Sequence, residues 1–292
     1  MPEPSSFSQT LASDRFIILC ELDPPHSADP SLKDEKIAFL KGKIQAAVVP
    51  DNHQAKLHMS PLAFSRYLLD QGLEPIMTLA CRDRNRLALQ SDLLGAAALG
   101  ISNILALTGD YLSWGDHPQA KPVFDLDSIQ LLQAVSQLRA GTNLMGKSLK
   151  GEPPRFTTGA LVPLKTDPLG PQVLKFHKKI AAGADFFITH PLFDLEGIEE
   201  FLSIIAETGK PLLATVRLFK PKDFAGPHKG RLPGLVVPPA VLDAFRTLEE
   251  EKMLSRSLEM AAGVIRAVRE DGRFRGIHLL LRGAEERIGE LL

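Results

Sequence analysis

The sequence predicts an α/β fold, a single closed (β/α)8 TIM-type barrel, and three observations predict it. Short apolar runs recur along the chain at intervals, each reading as a strand buried on both faces, as a parallel sheet covered by helices requires. Helical stretches alternate with them, and eight βα units in 292 residues is the size of a barrel. The first strand ends in Asp23-Pro24-Pro25. An open doubly wound sheet, the other architecture this alternation allows, normally carries a glycine-rich phosphate turn there.

Taken in order, residues 1–14 read as a loose N-terminal arm and 15–292 as the barrel domain. Strand one runs from Arg15 to Leu22 and stops at two prolines, which have no N–H to give a ladder. A helix over 33–41 leads to strand two, Ile44 to Val49, and the turn Pro50-Asp51-Asn52-His53. The helix over 61–71 opens on Pro61, which costs nothing in a first turn. Strand three is 74–80. The stretch 81–111 organises the rest: a charged turn from Cys81 to Arg86, then a helix with Leu87, Leu89, Leu93, Leu94 and Ala97 at helical spacing. Gly100 closes that helix, because a left-handed cap favours a residue without Cβ. Strand four, Ile101 to Leu107, stops at Thr108-Gly109-Asp110. Past an irregular loop, a helix over 125–138, strand five over 156–162, a helix over 170–182, strand six over 184–189 and a helix over 196–207 follow. Strand seven is 211–216. A loop rich in Pro, Gly and Lys spans 218–239, before helices over 240–249 and 252–270, strand eight over 276–281 and a short terminal helix.

The composition narrows the function. Hydrophobic residues are 44% and charged residues 24%, a globular profile, and the net charge of −1 gives no bulk attraction to nucleic acid or an anionic membrane. No apolar run approaches the roughly 18 residues of a membrane span. The N-terminus lacks the basic patch and apolar core of a secretory signal. Cys20 and Cys81 are too few for a disulfide scaffold and lack metal-ligand spacing. A reduced, cytoplasmic protein is expected.

In a barrel all eight strand ends face one mouth. Here they offer Glu21, Asp51, Arg82 with Asp83, Asp110, Lys165, His190, Arg217, and Arg282 with Glu285. No Cys/His metal cluster, GxSxG, HExxH or phosphate-binding Gly-Lys loop accompanies them. Carboxylates, cations and a histidine suit the binding of a polar cofactor and acid–base work. Each also has a plain reading: a strand-end charge for Glu21, a turn cap for Asp110, a satisfied core histidine for His190, a surface amine for Lys179. The residues alone name no reaction.

Several segments in fixed order resemble the methylenetetrahydrofolate reductase family. They are Glu21 before Pro24-Pro25, Thr78-Leu-Ala-Cys81-Arg-Asp83, Leu105-Ala-Leu-Thr-Gly-Asp110, the run from Lys179 to His190-Pro-Leu-Phe-Asp194, and Gly276-Ile-His278. The resemblance spans about residues 16–285. It implies a flavin, FAD or alternatively FMN, lying across the mouth and passing hydride from N5 to 5,10-methylenetetrahydrofolate to give 5-methyltetrahydrofolate. It further implies Glu21 as the general acid that protonates N10 of the folate, with Asp110 stabilising the iminium cation and touching both flavin and pterin. Thr78, Thr108, Gly109, Asp110, Phe124, Asp125 and Lys179 fall at cofactor-contacting positions, Thr78 where relatives place a histidine and Thr108 where some have an arginine. His190 stands where relatives hold the pterin with a glutamine. The expected electron donor is NAD(P)H or a redox partner subunit, in an oligomer or complex. The chain is similar to the short bacterial form, without the C-terminal regulatory domain of animal relatives. The competing expectation is a folate-binding methyl-transfer or structural subunit of a one-carbon complex, without hydride chemistry.

Overall fold

The computed structural model describes residues 5–224 and 237–292. Eight parallel strands close into one barrel in sequence order. They are β1 Ile17–Glu21, β2 Ala46–Val49, β3 Pro75–Ala80, β4 Asn103–Leu107, β5 Thr157–Val162, β6 Phe186–Pro191, β7 Leu212–Arg217 and β8 Gly276–Leu280. Ring closure is the pairing of β1 with β8, Ile17 opposite Gly276 and Leu19 opposite His278. The helices are α1 Ser6–Ala12, α2 Asp34–Leu40, α3 Pro61–Asp70, α4 Arg86–Ala98, α5 Ser128–Arg139, α6 Gly170–Ala181, α7 Glu199–Glu207, α8 Pro221–Phe224, α9 Pro239–Arg246 and α10 Glu250–Asp271.

The continuous apolar runs have a simple cause. Along each strand alternate side chains point to opposite faces, and here both faces are core. Cys20, Ala47, Val49, Met77, Leu79, Ile104 and Ala106 face outward into one apolar shell shared with the helices. Ile17, Leu19, Val48, Ile76, Leu105, Phe186, Ile188 and Leu213 fill the interior. Gly159 is required by this filling, because a Cβ there would lie 2.4 Å from the Phe186 ring.

Within the expected loose arm, Ser6–Ala12 instead form a helix. Ser5 caps α1 by accepting the Ser8 N–H, and the fully buried Phe7 meets Phe186 edge-on at 5.2 Å between centroids. One aromatic residue in a polar stretch gave little periodic signal, and the tertiary contact makes the helix. Two boundaries also move. Helix α5 begins at Ser128, not 125, because Asp127 and Gln130 form a reciprocal capping box. Strand β6 continues through Pro191 across a register irregularity, so His190 lies in the strand. In the expected 218–239 loop, α8 interrupts the chain, and residues 225–236 lie outside the described residues. The C-terminal helix is a 3-10 turn, Glu285–Glu290.

Candidate functional site

The carboxyl ends of the strands surround a cavity of about 460 Å³, within the ~300–1,000 Å³ range of small-molecule sites. Of the residues expected at a cofactor or substrate site, Glu21, Thr78, Thr108, Gly109, Asp110, Lys179 and His190 all line it. Phe124 and Asp125 do not. Asp125 instead holds the start of α4: it accepts the Arg86 backbone N–H at 2.8 Å and a bidentate pair from the Arg86 guanidinium, which sets its carboxyl down at about 2.

Glu21 closes β1 with little exposure. Burial first, and then the negative charge of Asp23, push its carboxyl up to about 8 against the opposing pull of Arg282 and Arg217. Its Oε1 has no hydrogen-bond partner. Arg282 NH1 stands 3.5 Å from that atom and 3.6 Å from Asp23 Oδ2, and donates to His53 Nε2 at 3.0 Å. Glu21, Asp23 and His53 place ligand-type atoms within 4.8 Å of one another. Arg282 already supplies the positive charge of that cluster. Burial, with Arg282 and Arg217 nearby, takes His53 down to about 4 although Asp23 pulls it up.

Asp110 follows β4 on a turn that only glycine allows. Gly109 has φ +102°, and a Cβ there would lie 2.8 Å from the Cβ of Arg82. Burial raises the Asp110 carboxyl, opposed by the Arg82 charge and a backbone N–H from Gln54. The Arg82-to-Arg86 run, which by sequence leads a helix N-terminus open to anions, is consumed internally. Buried Arg82 grips Asp83 through Nε at 2.8 Å and NH2 at 2.6 Å. Arg84 pairs with buried Asp51 at 2.6 Å and with Asp92 at 2.9 Å. Asn85 caps the Leu87 and Ala88 N–H groups. The start of α4 is therefore fully satisfied.

Lys179 is a helix residue that reaches the sheet: Nζ donates to the Leu161 carbonyl at 2.6 Å, and burial followed by the Lys175 charge lowers it to about 8. His190 is likewise lowered by burial and by Lys179. Thr108 accepts the Ser128 N–H at 3.2 Å and so ties the β4 turn to α5. Thr78 is buried with its Oγ1 unpartnered.

Sequence reasoning missed three groups here. His53 sits in the β2 turn and was passed over for want of a motif. Arg217 and Arg282 were read only as strand-end charges, yet they flank Glu21. His278 carried only a resemblance, but it is buried on β8 with an unpartnered Nε2 lining the cavity. A histidine at the centre of an otherwise apolar strand was the available signal.

The groups fit a flat polar heterocycle. The cavity has the right size, a floor of buried polar atoms that lack protein partners, and a turn at Gly109 that admits close approach. They fit the ring portion of a flavin; the Phe124–Asp125 pair, committed elsewhere, marks no place for an adenosine half.

Fold and cavity together define a (β/α)8-barrel protein with a ring-sized acid–base site at its carboxyl mouth. The model of the methylenetetrahydrofolate reductase family matches residues 7–292, and the chain belongs to that family. Among solved structures, it is similar to an uncharacterized protein from Clostridium thermocellum that binds two copies of 5-methyl-5,6,7,8-tetrahydrofolic acid, with TM-score 0.68, 14% identity, and coverage of 98% of this chain and 96% of that one. It is also similar to 2,3-dimethylmalate lyase (TM-score 0.51, 12% identity, 99% and 84% covered) and to an oxaloacetate acetylhydrolase (TM-score 0.51, 10% identity, 98% and 83% covered). At these identities the likeness is one of fold. No curated protein matches the sequence. No helix among the described residues is long and apolar enough to cross a membrane.

Proposed function

We propose that the protein is a flavin-dependent oxidoreductase that reduces 5,10-methylenetetrahydrofolate to 5-methyltetrahydrofolate. The observation that carries this reading is Glu21: a buried carboxyl, pushed up to about 8, with an oxygen that lacks a hydrogen bond, lining the same cavity as Asp110. Opening the substrate's five-membered ring requires a proton at N10, and a carboxylic acid still protonated at neutral pH can give it. Asp110 supplies negative charge near the iminium cation that ring opening creates. Once Glu21 has lost its proton, the Arg282 and Arg217 charges steady the carboxylate. Thr78 and His190 hold ring edges by hydrogen bonds, and Lys179 offers a cation at the rim. A bound flavin, FAD or FMN, would supply the hydride, itself drawn from NAD(P)H or a partner subunit.

The folate half is supported by the family and by the methylated folate that the Clostridium thermocellum protein binds. That same ligand also suits a folate-binding methyl-transfer subunit without hydride chemistry. One experiment separates the two. The protein is loaded with flavin, reduced anaerobically and mixed with 5,10-methylenetetrahydrofolate. Flavin reoxidation with formation of 5-methyltetrahydrofolate is the expected result. Folate binding without reoxidation would leave the methyl-transfer reading standing and remove this one.

A further inference from the structure

We propose that His278 is a built hydrogen-bond acceptor at the floor of the mouth, which takes the lactam N–H of a pyrimidine-type ring bound there. The inference rests on the reading that the cavity binds flavin and folate, and it names a residue and an atom within that site.

Thr215 Oγ1 lies 2.5 Å from the Thr189 carbonyl oxygen. A carbonyl only accepts, so the single hydroxyl proton of Thr215 goes to it. Thr215 Oγ1 also lies 3.2 Å from His278 Nδ1. Having given away its only proton, Thr215 can only accept there, and His278 must donate from Nδ1. Burial alone pushes His278 down to about 3, so the ring is neutral and Nε2 is a bare lone pair. That lone pair is buried and has no partner, on a residue that lines the cavity.

A buried acceptor left without a donor is costly, and native proteins seldom keep one without a ligand or ordered water for it. Water alone could serve, but the surroundings select more than water. The inward positions around it are Leu19 on β1, paired with His278 in register, and Thr215 on β7. Neither offers Nε2 a donor, since Leu19 has none and the Thr215 proton is spent on the Thr189 carbonyl. A carbonyl or carboxylate edge placed against Nε2 would set lone pair against lone pair. An N–H edge is accepted. Flavin and pterin rings share such an edge, the N–H of a ring lactam, and the two are the candidate sources.

Histidine-selective 15N NMR on the full chain tests the proton map first. The expected result is a proton on Nδ1 and a bare Nε2 in the free protein. Saturating FMN and saturating 5-methyltetrahydrofolate are then added in separate samples, and the compound whose lactam reaches His278 shifts the Nε2 resonance toward its hydrogen-bonded position. A proton on Nε2 in the free chain, or an Nε2 unmoved by either bound compound, overturns the proposal. Calorimetric titration gives a second reading. His278→Phe, which keeps a ring and removes the lone pair, should weaken that compound by about ten- to a hundredfold while the other binds as before. His278→Gln, whose amide oxygen accepts, should recover part of the loss. Unchanged affinity for both compounds in His278→Phe also overturns it. A wild-type protein that binds neither compound overturns the functional reading and the ring assigned to His278, a result distinct from a loss confined to the variant.

Discussion

The two ends of the barrel are built on opposite terms. At the amino end α1 lays Phe7 against Phe186 over an apolar interior, and the buried polar Asn103 there is paired with Ser5 and Glu74. At the carboxyl end the positive-φ residues other than glycine gather: Asn52, Gln54 and Ala55 after β2, Phe124 after β4, and Arg282 after β8. The unpartnered atoms Glu21 Oε1, Thr78 Oγ1 and His278 Nε2 line the cavity at that same end. Left-handed backbone in a residue with a Cβ and buried polar atoms without partners each cost free energy. One end of the molecule holds the barrel shut; the other holds polar groups in positions that only the rest of the barrel can enforce. Substitutions at the two ends should therefore separate cleanly into losses of chemistry and losses of stability.

The largest expected effect is at the mouth. Glu21→Gln removes the proton for N10 and should lower folate reduction by about 10²–10⁴-fold, while the donor still reduces bound flavin at its former rate. Stopped-flow measurement of the two half-reactions checks this, and near-normal folate turnover would remove Glu21 from the acid role. The wild-type folate step should fall as pH rises through about 8, since that is where Glu21 loses its proton. Stability carries the same signature. The native carboxyl keeps its proton up to about 8, whereas the unfolded chain releases it near the ordinary 4.5. Between those values the native state binds more protons, so stability declines as pH rises. Denaturant melts of Glu21→Gln should lack that slope.

At the other end Phe7→Ala should cost about 3–5 kcal/mol of stability, the usual range for an emptied aromatic core position. Ligand affinity at the mouth should stay unchanged. A loss of affinity matching the loss of stability would show that the two ends are not independent.

The contrast also explains what the sequence could tell. Strand order, strand count and closure were legible, because burial on both faces leaves continuous apolar runs and the connections between them are helical. Glu21, Thr78, Asp110, Lys179 and His190 were legible as a set because strand ends in a barrel converge and their neighbouring segments carry the family resemblance. Phe7 was not, since Phe7 and Leu11 make one i, i+4 pair in a polar stretch, too short a run to show a period. Nor was the fate of Arg82 to Arg86, for a charge run shows its spacing and hides its partners; Asp51 and Asp125, which take up Arg84 and Arg86, lie more than 30 residues away in each case. The His278 proton map depends on Thr189 and Thr215, brought together from two other strands.

A smaller effect is expected at Asp110. Asp110→Asn keeps the turn and removes the charge near the iminium cation, so folate reduction should slow by about ten- to a hundredfold and the potential of the bound flavin should rise. A spectroscopic redox titration reads the potential without turnover. If both kinetics and potential are unchanged, Asp110 is a turn residue and the mouth has a different source of negative charge.

The smallest effect tests whether the strained loop is there for Asp110. Gln54 sits at φ 55° and ψ 31°, a region that costs a residue with a Cβ roughly 1–2 kcal/mol. Its backbone N–H is among the groups that lower the Asp110 carboxyl. Glycine adopts that conformation freely but adds about 0.5–1 kcal/mol of unfolded-state entropy, so Gln54→Gly should stabilise the protein by about 1 kcal/mol or less. Because glycine keeps the N–H, the titration of Asp110 should not move. Gln54→Pro cannot hold a positive φ, so it removes the N–H together with the left-handed turn, and Asp110 should then titrate higher, as a carboxylate that has lost a donor does. If glycine instead destabilises, the Gln54 side chain is holding the loop and the strain is incidental. If proline leaves Asp110 where it was, the loop is not conditioning that carboxylate, and the cost of its left-handed backbone belongs to some other contact at the mouth.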